Sequence, residues 1–97
     1  MEETAVKEHA SAHANAVVAG DLRQAASDLA EGMQETAGQV MRQLPRPVTG
    51  AEIEDVTSSD DETTVLIRYS GEDASVLVES RWAERDGRPK IVGLDLA

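Results

Sequence analysis

The sequence predicts an α+β fold in which three N-terminal helices pack on one face of a curved antiparallel four-stranded sheet. The apolar residues recur at helical spacing before Pro45 and at alternate positions after Val48. Asp86-Gly87 separates two alternating apolar runs, which is typical of a tight β-hairpin. Because the other turns between predicted strands are also short, the strands should form an antiparallel meander. A chain of 97 residues is expected to form one domain, with a helical half (4–44) and a strand half (48–97) that bury each other's apolar faces.

The composition narrows the possible partners. The chain has 19 acidic and 9 basic residues and a net charge of −10. This charge repels nucleic acid and anionic membrane surfaces, so we expect neither as a partner. It favours either a solvated, self-repelling surface or recognition of a basic partner. The absence of cysteine excludes disulfides and thiolate chemistry.

The sequence also bears on localisation. No apolar run approaches the roughly 20 residues of a membrane span. Met1-Glu2-Glu3 is the opposite of the basic start of a signal peptide. A cytoplasmic protein is therefore expected. The sequence contains no motif for which we predict a cofactor.

The first helix is predicted over residues 4–19. Val6, Ala10, His13 and Val17 recur on one helical face. Gly20 suits the left-handed conformation in which many helices end. This helix should pack through that face on the sheet.

Two further helices are predicted before the strands. Asp21 suits an N-cap with Gln24 completing a capping box, and this second helix is expected to reach Gly32. Its buried stripe is predicted to be Leu22, Ala25, Ala26, Leu29 and Ala30. A third helix is expected over residues 33–44, and Pro45 stops it because proline cannot donate the next helical hydrogen bond.

Strands are predicted over residues 48–57, 63–70, 76–83 and 90–96, with Gly50 marking a bulge or an edge in the first. Alternation assigns the side chains of each strand to opposite faces of the sheet. The helix-facing side is predicted to carry Val65, Ile67, Tyr69, Val76, Val78, Ser80, Trp82, Val92, Leu94 and Leu96.

The order of helices and hairpin resembles that of the nuclear transport factor 2-like (SnoaL-like) superfamily. The pattern A-x-x-x-G-D-x occurs at residues 16–22, and W-x-x-x-D-G-[RK] occurs at residues 82–88. The resemblance spans nearly the whole chain and implies a cystatin-like cone with a pocket of some size. Many members place a short β segment after the second helix, which in isomerases and cyclases often carries a catalytic acid. Here Leu29–Gly32 is expected to lead straight into the third helix, as in an abridged member without an implied activity.

Four residues are candidates for lining such a pocket. Tyr69, Ser80 and Trp82 share the helix-facing side, where a phenol, a hydroxyl and an indole N–H could orient a small polar group. The alternative is that Tyr69 and Trp82 fill the wide end of the cone as core. His13 precedes Gly20 by seven residues, where the resemblance implies a substrate-binding tyrosine in some isomerases. His13 can also pair with His9 at metal-chelating spacing, but without a third His or any Cys we predict no metal site.

No acid residue is predicted to face the pocket. Asp28 and Glu31 fall off the apolar stripe of the second helix and are expected to face water. Asp95 alternates away from Leu94 and Leu96, unless a bulge reverses the register. Because an isomerase or dehydratase of this fold needs an inward carboxylate, a non-catalytic protein is favoured and no catalytic residue is assigned.

The open face of the sheet is the other candidate surface. A homodimer or partner interface is predicted there, through Leu66, Arg68, Leu77, Glu79, Arg81 and Ile91. The alternative is a solvated face carrying cross-strand ion pairs. The favoured function is thus a small non-catalytic domain that homodimerises or binds a partner through this face. The second possibility is a small apolar-ligand binding protein, or an isomerase- or cyclase-type enzyme, that uses the cone pocket.

Overall fold

The computed structural model describes residues 2–97, which form three helices and one four-stranded sheet. The helices are α1 (Glu3–Ala19), α2 (Leu22–Ala26) and α3 (Gln34–Met41). The strands are β1 (Gly50–Ser58), β2 (Thr63–Ser70), β3 (Ser75–Arg85) and β4 (Arg88–Leu96). Each strand pairs antiparallel with the next in the order β1-β2-β3-β4. The α+β fold predicted from the sequence is therefore confirmed.

Helix α1 lies over the sheet as its apolar pattern predicts. Val6, Ala10, His13 and Val17 are all buried. The helix ends at Gly20, whose φ of 77° places it in the left-handed region. Its N–H donates to the Val17 carbonyl oxygen, so the end of the helix is capped by its own backbone.

Helix α2 is shorter than predicted. Asp21 caps it as expected, with its carboxylate accepting a hydrogen bond from the Gln24 N–H at 3.2 Å. The helix stops at Ala26, and Leu29 forms a parallel β-bridge with Ile91. The Asp28 carbonyl accepts from the Ile91 N–H at 2.7 Å, and the Ala30 N–H donates to the Ile91 carbonyl at 2.9 Å. Pairing with the exposed edge of β4 thus replaces the last helical turns, because an unpaired strand edge offers backbone donors and acceptors.

The burial of α2 also differs from the expected stripe. Ala25 is buried, but Ala26 is exposed and Leu22 is 55% exposed. Because the helix has only five residues, the predicted stripe does not extend to Leu29.

The hairpin between β3 and β4 has the expected turn and an unexpected register. Asp86 and Gly87 have φ values of 54° and 81°, as a type I′ turn requires. Trp82 pairs with Ile91, whereas Arg81 pairs with Gly93, so Val92 is an extra residue in β4. Such a bulge reverses the alternation of side chains on one side of it.

This bulge makes the assignment of Ile91 to the open sheet face wrong. Ile91 is fully buried on the helix side opposite Trp82. Leu94, beyond the bulge, pairs with Ser80 and packs against the core as predicted, and Asp95 is exposed. A second bulge lies in β1 between Ile53 and Asp55, not at Gly50.

The hydrophobic core lies between α1 and the inner face of the sheet. Its centre is aliphatic apart from Tyr69 and Trp82, in keeping with the scarcity of aromatic residues. The inner face contributes Val65, Ile67, Tyr69, Val78, Trp82 and Ile91. Within residues 2–97, the helices all lack the combined length and apolar character needed to cross a membrane.

Candidate functional site

A cavity of about 260 Å³ lies between the three helices and the inner face of the sheet. Its wall is mostly apolar, with residues from α1, α2, α3 and strands β2 to β4. Exposed Leu22, Ala26 and Gln34 belong to this wall, so the cavity opens to solvent between α2 and α3. A dry cavity of about 150 Å³ can hold benzene, so this space is large enough for a small organic molecule.

The helices leave this space empty because their lining side chains are small. Ala25 of α2 and Ala37 and Gly38 of α3 all line the cavity. A methyl group at Gly38 would meet no atom within 4 Å.

His13 lies at the inner wall of the cavity and belongs to a buried hydrogen-bonded chain. Its Nδ1 lies 3.1 Å from Oδ2 of Asp28. The other carboxylate oxygen, Oδ1, accepts a hydrogen bond from Nη2 of Arg88 at 3.3 Å. The Asp28 side chain is 4% exposed and that of Arg88 is 44% exposed, so this row of hydrogen-bonded side chains runs from the cavity to the surface.

Asp28 is the residue that the sequence reasoning missed. It was expected to face water from the second helix, and that prediction is wrong: Asp28 is 3% exposed. The helix ends before Asp28, so the helical periodicity that predicts an exposed side chain does not apply to this residue. The backbone pairing with Ile91 turns the carboxylate toward His13 and Arg88. Glu31, the other acid assigned to that surface, is exposed as predicted.

The bridge at Leu29 also corrects the expected absence of a β segment after the second helix. Leu29 pairs with Ile91 where a direct passage into the third helix was predicted. The segment is a single bridge, and it follows Asp28 immediately. The sequence pattern gives no signal for it, because Leu29 and Ala30 also fit the apolar stripe of a continued helix.

Two polar side-chain atoms within residues 2–97 reach the cavity from buried residues. Nε2 of His13 and Oη of Tyr69 make no hydrogen bond to the described residues. Every fully buried side-chain nitrogen or oxygen among those residues has a hydrogen-bond partner, so these two atoms must retain some accessible surface. Both residues line the cavity and are otherwise buried, so we infer that these two atoms face it. Burial raises the pKa of Tyr69 above its usual range, because a phenolate would be poorly solvated there. Tyr69 therefore remains a hydrogen-bond donor.

Ser80 and Trp82, the other two predicted pocket residues, lie beside the cavity and not in its wall. Trp82 is fully buried and its Nε1 donates to Oγ of Ser80 at 3.0 Å. That hydroxyl donates in turn to the Val65 carbonyl at 2.8 Å. Because all their polar groups are satisfied within the core, neither residue is free to bind a ligand. Trp82 instead packs edge-on against the His13 ring, with centroids 6.0 Å apart.

The open sheet face carries exposed ion pairs. Arg68 donates to Glu54 at 3.0 Å and to Ser75 at 3.1 Å, and Arg81 lies 3.7 Å from Glu62. The hydrogen bond and charge of Glu54 raise the pKa of Arg68. The Arg81 guanidinium also lies across Gly93, where any Cβ would collide with it. The two leucines of this face, Leu66 and Leu77, are half-buried.

Across residues 2–97 there is no cluster of three or more His, Asp or Glu side chains arranged to hold a metal ion. Comparisons with known proteins identify no relative, since no family model, curated protein or solved structure matches the chain significantly.

Proposed function

We propose that this protein binds a small, largely apolar molecule with one polar group in the cavity between its helices and sheet. The observation that carries the proposal is the cavity of about 260 Å³, into which His13 and Tyr69 present polar atoms. Ligand sites are commonly apolar concave spaces with a few placed polar groups. The volume suits a molecule of one or two rings.

The polarity of the wall supports an uncharged ligand. No Lys, Arg, Asp or Glu of residues 2–97 belongs to the lining. A charged ligand would lose its hydration without gaining an ionic partner, which is costly in an apolar site. The net charge of −10 adds a further barrier for an anion.

The resemblance to nuclear transport factor 2-like domains supports the same cavity, because those domains are cones built around a pocket. Membership of that superfamily, the cone description and a cytoplasmic location stay predictions. An isomerase- or cyclase-type reaction would be a catalytic use of the same site.

The binding proposal is tested with benzene and toluene as probes. A ligand that binds only the native state stabilises it by RT ln(1 + L/Kd) at a free ligand concentration L, so the midpoint of thermal unfolding rises with ligand concentration. We expect both probes to raise the midpoint and to shift the NMR resonances of Tyr69 and of the methyl groups of Val17 and Leu94, which line the cavity.

A matched pair of variants locates the binding site. Ala37→Leu places three extra carbons at the cavity wall and should abolish the shift. Ala12→Leu makes the same change at an exposed position outside the wall and should preserve it. Absence of any probe effect on the wild-type protein, or equal effects on both variants, would contradict the proposal.

The second candidate function is homodimerisation through the open sheet face. The observation in its favour is that Leu66 and Leu77 lie on a face that no helix of residues 2–97 covers, among charges of both signs. Alternating charges allow a second copy to pair by rotation. Sedimentation equilibrium at tens of micromolar tests it. Leu77→Glu should convert a dimer to a monomer, and a wild-type monomer would rule the interface out.

A further inference from the structure

We propose that the cavity selects a neutral ligand carrying a hydroxyl group, because Asp28 fixes His13 in the tautomer whose Nε2 is a hydrogen-bond acceptor. This inference rests on the binding function proposed above and names the chemical class of its ligand. Asp28 acts here as a positioning residue, since the hydrogen bond to the ligand comes from His13.

The direction of each hydrogen bond follows from the donors and acceptors that the three side chains offer. A guanidinium has donors and no acceptor, so Oδ1 of Asp28 must accept. An ionised carboxylate has acceptors and no donor, so Nδ1 of His13 carries the hydrogen that points to Oδ2. In a neutral imidazole the second nitrogen then has a free lone pair, and this nitrogen is the one open to the cavity.

The imidazole is held in this orientation by Trp82 and by Asp28, which is itself fixed in place. Trp82 packs edge-on against the ring at an interplanar angle of 85°. The Asp28 backbone is fixed by its hydrogen bond with Ile91, and the carboxylate is held by Arg88. A rotated ring would lose the bond to Asp28 and leave a buried carboxylate oxygen unpaired, which is unfavourable.

Tyr69 supplies the hydrogen-bond donor that complements the His13 acceptor in binding a ligand hydroxyl group. Its phenol keeps its proton and is accessible from the same cavity, so it offers a donor. A hydroxyl group can donate to His13 and accept from Tyr69. A ketone or an ether can only accept, so when bound it would exclude water from Nε2 without donating a hydrogen bond in its place.

The first experiment reads the tautomer directly by ¹⁵N NMR of the imidazole. The chain has two histidines, so His9→Gln leaves the signal of His13 alone. At about pH 8, where an ordinary imidazole is neutral, we expect the hydrogen on Nδ1. A hydrogen on Nε2, or on both nitrogens, would overturn the inference.

The second experiment compares cyclohexanol with cyclohexanone, which have nearly the same shape. We expect the alcohol to bind the wild-type protein about tenfold more tightly, the size of effect that one unpaired buried acceptor produces. In Asp28→Asn the side-chain amide can donate to Nδ1, which moves the ring hydrogen to Nε2. That variant should therefore show the Nε2–H tautomer and a preference shifted toward the ketone.

The control is Asp21→Asn, the same substitution at an exposed residue outside the cavity wall, where Asn is also a good helix cap. It should keep the wild-type preference. If Asp28→Asn does not fold, the wild-type tautomer and the wild-type preference still decide the inference.

The outcomes separate the two proposals. Equal affinity for cyclohexanol and cyclohexanone would overturn the hydroxyl selection while leaving the binding function intact. If benzene, cyclohexanol and cyclohexanone all fail to bind, the binding function is overturned and the hydroxyl selection falls with it.

Discussion

The two ends of the space between helices and sheet are built from the same sheet face but packed differently. At one end Trp82, Ser80 and Ile91 are almost fully buried, and their polar groups bond to the core. At the other end Tyr69 faces a cavity. The difference lies in the side chains that cover the sheet. A chain with one Trp and no Phe can fill one end with a large ring, and the alanines and glycine of α2 and α3 leave the other end open.

The two charge networks of the protein also differ in packing, since one is buried and the other is exposed. The chain from His13 through Asp28 to Arg88 is buried at its centre, so its geometry is enforced by packing and desolvation. The Arg68–Glu54 pair on the outer face is more than a third exposed on both sides. Exposed pairs of this kind are screened by solvent and salt and contribute little to stability.

The largest expected effect on stability comes from removing the buried side chain of Trp82. Trp82→Ala should lower the free energy of unfolding by about 3–5 kcal/mol, because it removes a fully buried ring and the hydrogen bond that its Nε1 donates to Ser80. That is a large share of the stability of a small domain. Urea unfolding followed by circular dichroism measures it. Trp82→Phe should cost clearly less, and equal losses for both would show that the ring volume is not what matters.

The next effect is the loss of the buried carboxylate. Asp28→Ala should destabilise the protein by about 1–3 kcal/mol, since it leaves Nδ1 of His13 buried without a partner. Glu31→Ala, at an exposed acid three residues away, should change stability by less than about 0.5 kcal/mol. Similar denaturation curves for the two variants would argue against a structural role for the buried chain.

A smaller effect should appear at high pH, through the single tyrosine. Burial raises the native pKa of Tyr69, so the native state holds its proton more tightly than the unfolded chain does. Its contribution to stability is intact below about pH 10, the ordinary tyrosine value, and is lost as the pH rises toward the native pKa. Tyr69→Phe should lack this part of the decline. Spectrophotometric titration of the native protein should place ionisation above that of the urea-unfolded chain, and coincident titrations would contradict the burial of the phenol.

The smallest effect is expected on the outer face. Arg68→Gln removes an exposed ion pair with Glu54 and should leave thermal stability nearly unchanged, at both low and high salt. A large loss that grows with protein concentration would instead indicate that the face is buried in a homodimer. The measurement is the midpoint of thermal unfolding as a function of protein concentration.

Much of this architecture follows from local patterns in the sequence. The period change at Pro45, the Gly20 cap and the Asp86-Gly87 turn predict α1, β2 and the turn of the last hairpin nearly to the residue. Each of these features depends on the conformational preference of a few neighbouring residues. Of the predicted pocket residues, His13 and Tyr69 line the cavity, whereas Ser80 and Trp82 lie on the predicted face of β3 but are buried in the core.

The sequence by itself determined the fold class, the inner face of β2 and β3 and the absence of cysteine chemistry. Only the tertiary structure decided the positions of Ile91 and Asp28. One extra residue at Val92 reverses the register of β4, and periodicity carries no trace of a bulge. The early end of α2 depends on an edge strand more than sixty residues later in the chain, whose backbone offers better partners than another helical turn. The buried carboxylate of the candidate site is a product of these long-range contacts.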